Sequence, residues 1–192
     1  MFNKPRLLTP GPTPLPERVR LALAQDMIHH RKPGFKKILL ETETMLQKLF
    51  GTEQPVLPLS CSGTGAMTAA VHGLFLPGET VIVVNGGKFG ERWSKIAAVR
   101  GLKVVEIDVA WGQAVTPAQV EQALREHPEA KGVFMQVCET STAAQHPVEA
   151  IARLTRTREV LLVADGISAV GISPCPMDAW GIDCLLTGSQ KG

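Results

Sequence analysis

Several signatures are missing from this sequence, and each absence excludes something. None of the four cysteines, Cys61, Cys138, Cys175 and Cys184, falls in a Cys-x-x-Cys pair, so no zinc or iron–sulfur framework is expected. Three of them lie in or beside apolar strand-like runs, where cysteine behaves as a small hydrophobe, and a reducing, cytoplasmic location fits best. No apolar stretch approaches the roughly 20 residues that span a bilayer. Met1-Phe2-Asn3-Lys4-Pro5-Arg6 has no apolar export core, so neither a membrane nor secretion is expected. An excess of one charge is also lacking. Twenty basic against 18 acidic residues leave +2, which gives no reason to expect nucleic acid or an anionic membrane as partner. Repeats, low-complexity tracts and Ser/Gly linkers are absent. The 192 residues, 44% hydrophobic, therefore read as one core without an internal boundary.

What is present is an alternation of strands and helices. Pro5, Pro10, Pro12, Pro14 and Pro16 make residues 1–16 an extended arm, because proline suits neither a helix interior nor a central strand. A short helix follows from Pro16 to Gln25, with Val19, Ala22 and Leu23 expected to face inward. His29-His30-Arg31 reads as a polar turn; adjacent residues in a loop are poorly placed to chelate one metal, and no metal site is expected. From Gly34 to Phe50, Ile38, Thr42, Met45, Leu46, Leu49 and Phe50 recur at three- and four-residue spacing and predict an amphipathic helix stopped by Gly51. Val56–Ser60 is a strand candidate weakened by Pro58. Further strands are expected at 80–84, 102–109, 132–137, 160–164 and 182–187, separated by helices. Thr116-Pro117-Ala118-Gln119 opens one of these helices as a capping box. The pattern predicts an α/β fold: a doubly wound, mostly parallel sheet with helices on both faces, a three-layer sandwich.

In such sheets ligands bind at the carboxyl ends of the strands, and the polar turns of this chain all follow strands. Cys61-Ser62-Gly63-Thr64-Gly65-Ala66 opens an apolar helix, an arrangement that offers backbone N–H groups to phosphate. It is neither a P-loop nor the dinucleotide glycine fingerprint. Phe89 lies among glycines at a strand-to-helix junction and could stack on a flat ligand; ordinary core packing is the alternative. Glu139-Thr140-Ser141-Thr142 is a hydroxyl-rich turn. One strand ends on Asp165, and another leads through Gly188-Ser189-Gln190 to Lys191. Lys191 by itself would read as a surface lysine. A lone amine and a lone carboxylate at neighbouring strand ends, with the other turns, are instead what a pyridoxal phosphate enzyme requires.

With these residues assembled, the sequence resembles the class V aminotransferases of fold type I, especially the alanine–glyoxylate and serine–pyruvate group. The matching segments are Thr9–Pro14, His29–Arg31, Ser62–Gly65, Asn85–Gly90, Glu139–Thr142, Ala164-Asp165 and Gly188–Lys191. The resemblance implies that Lys191 is the Schiff-base lysine and that Asp165 holds the pyridine nitrogen. It implies that Phe89 stacks on the ring and that Thr64, Gly65, Ala66 and Gln190 hold the phosphate. Ser141 or Thr142 would lie near the ring, and Gly11 near the substrate carboxylate. The cofactor would be pyridoxal 5'-phosphate, and the substrates a small amino acid such as serine or alanine and a 2-oxo acid such as glyoxylate or pyruvate. The full-length enzyme would be a homodimer. The resemblance further implies that residues 17–192 are part of a cofactor-binding large domain. The chain reads as an N-terminal fragment ending just after the lysine, without the small C-terminal domain and its substrate-carboxylate arginine.

One departure lies in the hydroxyl turn, where Ala143 stands in place of a frequent family glycine. Cysteine desulfurase or kynureninase chemistry on the same fold, and a truncated non-catalytic product, are the alternatives. A soluble hydrogenase subunit, a label given to some relatives of this kind, is disfavoured by the cysteine pattern.

Overall fold

The computed structural model describes residues 7–191. Residues 1–6 of the expected arm, with Pro5, lie outside this range. In chain order the elements are α1 (Glu17–Leu23), α2 (Pro33–Phe50), α3 (Gly63–Leu74), β1 (Thr80–Asn85), α4 (Lys88–Arg100), β2 (Lys103–Asp108), α5 (Pro117–Glu126), β3 (Ala130–Gln136), β4 (Cys138–Glu139), β5 (Ala144–Gln145), α6 (Val148–Arg156), β6 (Leu161–Asp165), α7 (Met177–Trp180) and β7 (Cys184–Leu186).

Five strands form one sheet in the order β2-β1-β3-β6-β7, every neighbouring pair parallel. Parallel strands need covered crossovers, and both faces of this sheet are covered. On one face, Met67 and Val71 of α3 and Trp93 and Ala97 of α4 pack on Val81, Val83, Phe134 and Val163. On the other, Val120 and Leu124 of α5 and Val148 and Ile151 of α6 pack on Ile82, Val84, Val133 and Leu162. The alternation of β-branched side chains along β1 feeds both layers, since successive residues point to opposite faces. Each such buried side chain contributes about 1.5–3 kcal/mol. The expected doubly wound sandwich is therefore the observed one. The winding reverses between β1 and β3, which places the ligand crevice at the carboxyl ends of these strands.

Local signals also hold. The capping box at Thr116 is complete, with the Thr116 hydroxyl accepting from Gln119 N at 3.3 Å and the Gln119 side chain accepting from Thr116 N at 2.9 Å. Gly51 ends α2 in the left-handed region at φ 62°, where a Cβ would be strained.

Two expectations need correction, whereas the helix expected over 34–50 is present as α2. Val56–Ser60 is not a strand; Pro58 has no N–H to offer a ladder, and Leu57 is 77% exposed. Val19, Ala22 and Leu23 do not face inward, because α1 has no buried residue at all. Along α2 only the last turn reaches the sheet: Phe50 is buried and Leu46 packs beside it, while Ile38, Met45 and Leu49 are exposed. The two-stranded β4–β5 pairing is additional to the sequence reading. Among the described residues, no helix is long and apolar enough to cross a membrane.

Candidate functional site

Four strand ends deliver the candidate residues to one edge. β6 ends on Asp165, which is paired in register with Gln136 of β3 on one side and Leu186 of β7 on the other. Lys191 follows β7, Phe89 follows β1, and Thr140 follows β4. Lys191 Nζ donates to Ser168 Oγ at 2.8 Å and to Thr140 Oγ1 at 3.2 Å, and lies 5.2 Å from the centre of the Phe89 ring. Thr140 and Ser168 also hydrogen-bond to each other. Among the described residues, the amine thus rests on neutral hydroxyls and an aromatic face. Burial pushes its pKa below the ordinary lysine value, and Asp165 opposes that shift.

Asp165 is 4% exposed. Its Oδ1 accepts from Ile167 N at 2.9 Å. Desolvation dominates its titration and raises its pKa to about 6, against the hydrogen bond from Ile167 and the charge of Lys191. A carboxylate held this dry is stabilised by a cationic partner placed against it.

At the start of α3 the Ser62 hydroxyl accepts from Gly65 N at 3.4 Å, and Ala66 N donates to Ser62 O at 3.1 Å. The N–H groups of Gly63 and Thr64 have no partner among the described residues, as the first N–H groups of a helix characteristically do not. Of the expected phosphate contacts, Thr64 therefore keeps its N–H free, whereas those of Gly65 and Ala66 are already engaged. Gln190 is exposed beside Lys191, and its carbonyl accepts from Thr13 N at 3.0 Å. This bond ties the proline-rich arm to the lysine turn. It also brings Gly11 so close that a Cβ there would stand 2.6 Å from Lys191 Cγ.

The hydroxyls of Ser141 and Thr142, expected near the ring, each have a partner in or beside their turn. The Ser141 hydroxyl donates to Glu139 Oε1 at 2.6 Å and accepts from Lys88 N at 3.0 Å. Thr142 Oγ1 accepts from Ala144 N at 3.4 Å within its own turn. The hydroxyl of this turn that reaches Lys191 is Thr140.

The sequence reading also missed Ser168, Glu139 and Arg92. Ser168 lies three residues past the strand-ending aspartate, a spacing that could have flagged it. Glu139 is fully buried, and Oε2 accepts from Phe89 N and Gly90 N, each at 3.1 Å, so it caps α4 and fixes Phe89 in place. Arg92, three residues after Phe89 on α4, has its guanidinium 4.7 Å from the Phe89 ring centre and donates to Thr64 Oγ1 at 3.1 Å.

The family described as aminotransferase class-V matches residues 10–192. The chain belongs to the class-V aminotransferases. It is 36% identical to the soluble hydrogenase small subunit of Synechococcus, covering 100% of this chain and 51% of that protein. It is 32% identical to the serine–glyoxylate aminotransferase of Methylorubrum extorquens, over 97% of this chain and 48% of that one. Among solved structures, an alanine–glyoxylate aminotransferase from Nostoc superposes with TM-score 0.94 at 31% identity, over 100% of this chain and 51% of that one. The chain thus spans about half the length of the relatives it matches. Class-V aminotransferases depend on pyridoxal phosphate. The hydrogenase name is said of that relative, as the serine–glyoxylate aminotransferase name is said of the other.

Proposed function

We propose that the whole protein is a pyridoxal-phosphate-dependent aminotransferase. It moves an amino group from a small amino acid, serine or alanine, to a 2-oxo acid, glyoxylate or pyruvate. The observation that carries this reading is Lys191 Nζ, held 2.8 Å from Ser168 Oγ and 5.2 Å from the Phe89 ring centre, beside the dry carboxylate of Asp165. The donor set suits the cofactor: an amine held by hydroxyls, a buried acid, an aromatic face and, among the described residues, unpartnered N–H groups at the start of α3.

When bound, pyridoxal phosphate supplies the electron sink that lets an amino group pass between carbon skeletons. Lys191 would hold the cofactor at Nζ, and the same amine would accept and return a proton. Its lowered pKa favours the neutral, basic form this task needs. Asp165 would keep a proton on the ring nitrogen, a positive charge that would compensate the buried carboxylate. Phe89 would stack on the ring, and Thr64, the free N–H groups at the start of α3 and Gln190 would hold the phosphate. Thr140 and Ser168 orient the amine, with Ser141 and Thr142 supporting the turn. The arm presents Gly11 toward the substrate carboxylate.

In the same reading, residues 17–192 are part of the cofactor-binding large domain, and the enzyme is a cytoplasmic homodimer. The half-exposed Leu39, Leu40 and Leu49 of α2, with Leu21 of α1, supply apolar surface for the second copy. The test is direct. Purified whole protein with pyridoxal phosphate is given serine or alanine together with glyoxylate or pyruvate. Formation of the new amino acid and 2-oxo acid is expected; cofactor uptake without amino transfer to either acceptor would refute the assignment.

A further inference from the structure

We infer that Arg92 is a positioning residue that couples the ring-facing Phe89 to the phosphate-facing Thr64, so that two contacts on different helices are set by one guanidinium. The inference rests on the cofactor reading of the site. Arg92 and Phe89 are three apart on α4 and therefore share a helix face. The guanidinium lies over the Phe89 ring at 4.7 Å from its centre, and Lys191 Nζ lies over the same ring at 5.2 Å. From the same group, Nη1 reaches across to α3 and donates to Thr64 Oγ1 at 3.1 Å.

That bond determines what Thr64 can do. Its hydroxyl oxygen accepts from Arg92, so its own proton is free to be donated elsewhere. With the unpartnered Thr64 N–H, the residue then offers two donors, which is the chemistry of an oxyanion such as the cofactor phosphate. The nearest acid in sequence, Glu91, is engaged by Lys88 at 3.3 Å and Lys95 at 3.2 Å. Among the described residues, the direct contacts of the Arg92 guanidinium are that ring and that hydroxyl, and its charge also reaches Asp165 and Lys191. A lysine could not serve both at once, because only the planar guanidinium stacks and donates in the same geometry.

The experiment is a double-mutant cycle on the whole protein, read as the apparent dissociation constant of pyridoxal phosphate and, separately, of pyridoxal, which has no phosphate. Arg92→Met and Thr64→Val are each expected to weaken pyridoxal phosphate about 10-fold, as for one hydrogen bond to a charged group. Because they act through one bond, the double variant should lose about 10- to 20-fold and not about 100-fold. Pyridoxal should lose less than about threefold with Thr64→Val, and more with Arg92→Met than with Thr64→Val, because the ring contact is lost as well. Arg92→Lys should recover only part of the affinity. Circular dichroism and thermal melting verify folding; if Arg92→Met does not fold, Arg92→Lys replaces it in the cycle. Independent losses that multiply, or unchanged pyridoxal phosphate binding in a folded Arg92 variant, would overturn the coupling. If the unsubstituted protein takes up no pyridoxal phosphate, the cofactor reading fails, and the coupling fails with it.

Discussion

Helices α2 and α6 both carry apolar residues at helical spacing, and they end in opposite surroundings. In α6, Val148, Ile151, Ala152 and Thr155 are all buried against the sheet. In α2, Leu39, Leu40 and Leu49 are about half exposed at 46%, 52% and 50%, and only Phe50 is buried. Helical periodicity says that a face is to be covered; it does not say by what. α6 finds its cover within the crossover that joins β3 to β6. α2 precedes the sheet and touches it only through its last turn. The same contrast divides the whole molecule. From α3 onward, side chains meet partners inside the chain and build a defined edge. Among the described residues, the two leading helices present surface; the arm bonds Gln190 through Thr13, Phe50 and Leu46 of α2 join the core, and Gly51, Thr52 and Glu53 just past α2 bond Asp178.

Substitutions should separate these two regions by the size of their effects. The largest belongs to Glu139, whose buried carboxylate gathers Phe89 N, Gly90 N, Ser141 N and the Ser141 hydroxyl. Glu139→Ala strands those donors and should cost roughly 3–4 kcal/mol in urea-induced unfolding.

Asp165 comes next. Its proton leaves at about pH 6 in the folded chain, against an ordinary value of 3.8. The folded state therefore binds the extra proton between these values, and stability falls as pH rises from about 4 to about 6. Without cofactor, Asp165→Asn should remove that loss and raise stability at pH 7.5 by about 1–3 kcal/mol, with little change at pH 4. The same variant should bind pyridoxal phosphate more weakly. Melting curves at the two pH values check the sign.

Ala143 is a smaller case. It sits at φ 59°, in the left-handed region, at the position where the sequence departs from the family's frequent glycine. Ala143→Gly should relieve that strain and stabilise by about 0.5–1 kcal/mol, again seen in urea unfolding. The smallest stability change is expected in α2. Leu39→Lys with Leu40→Lys should move unfolding by no more than about 0.5 kcal/mol per site. Its effect should appear in sedimentation instead, as a shift of the whole protein from dimer toward monomer.

Much of this was legible in the sequence, for a physical reason. Strand ends and turns are local, so Asp165, Phe89 and Lys191 could be placed at one edge from alternation alone. Glycine stops and the Thr116 capping box are likewise local, and they hold. The misses are all relations between distant segments. That Thr140 bonds the lysine, while Ser141 bonds Glu139 and Lys88 N, depends on their turn meeting β7 and α4. Ser168 and Arg92 acquire a role only once β7 and α3 are brought beside them. Val56–Ser60 had apolar residues but no neighbouring strand to bond, and α1 had an apolar pattern but nothing within the described chain to cover it.

The central claim is that Lys191 carries the cofactor. The most direct measurement is borohydride reduction of the whole protein with pyridoxal phosphate, followed by peptide mass spectrometry, beside the Lys191→Ala variant. The expected result is a single cofactor adduct on the peptide containing Lys191, and no adduct or visible absorption band in the variant. An adduct on Lys88, Lys95 or any other lysine, or an unchanged band in Lys191→Ala, would contradict the account.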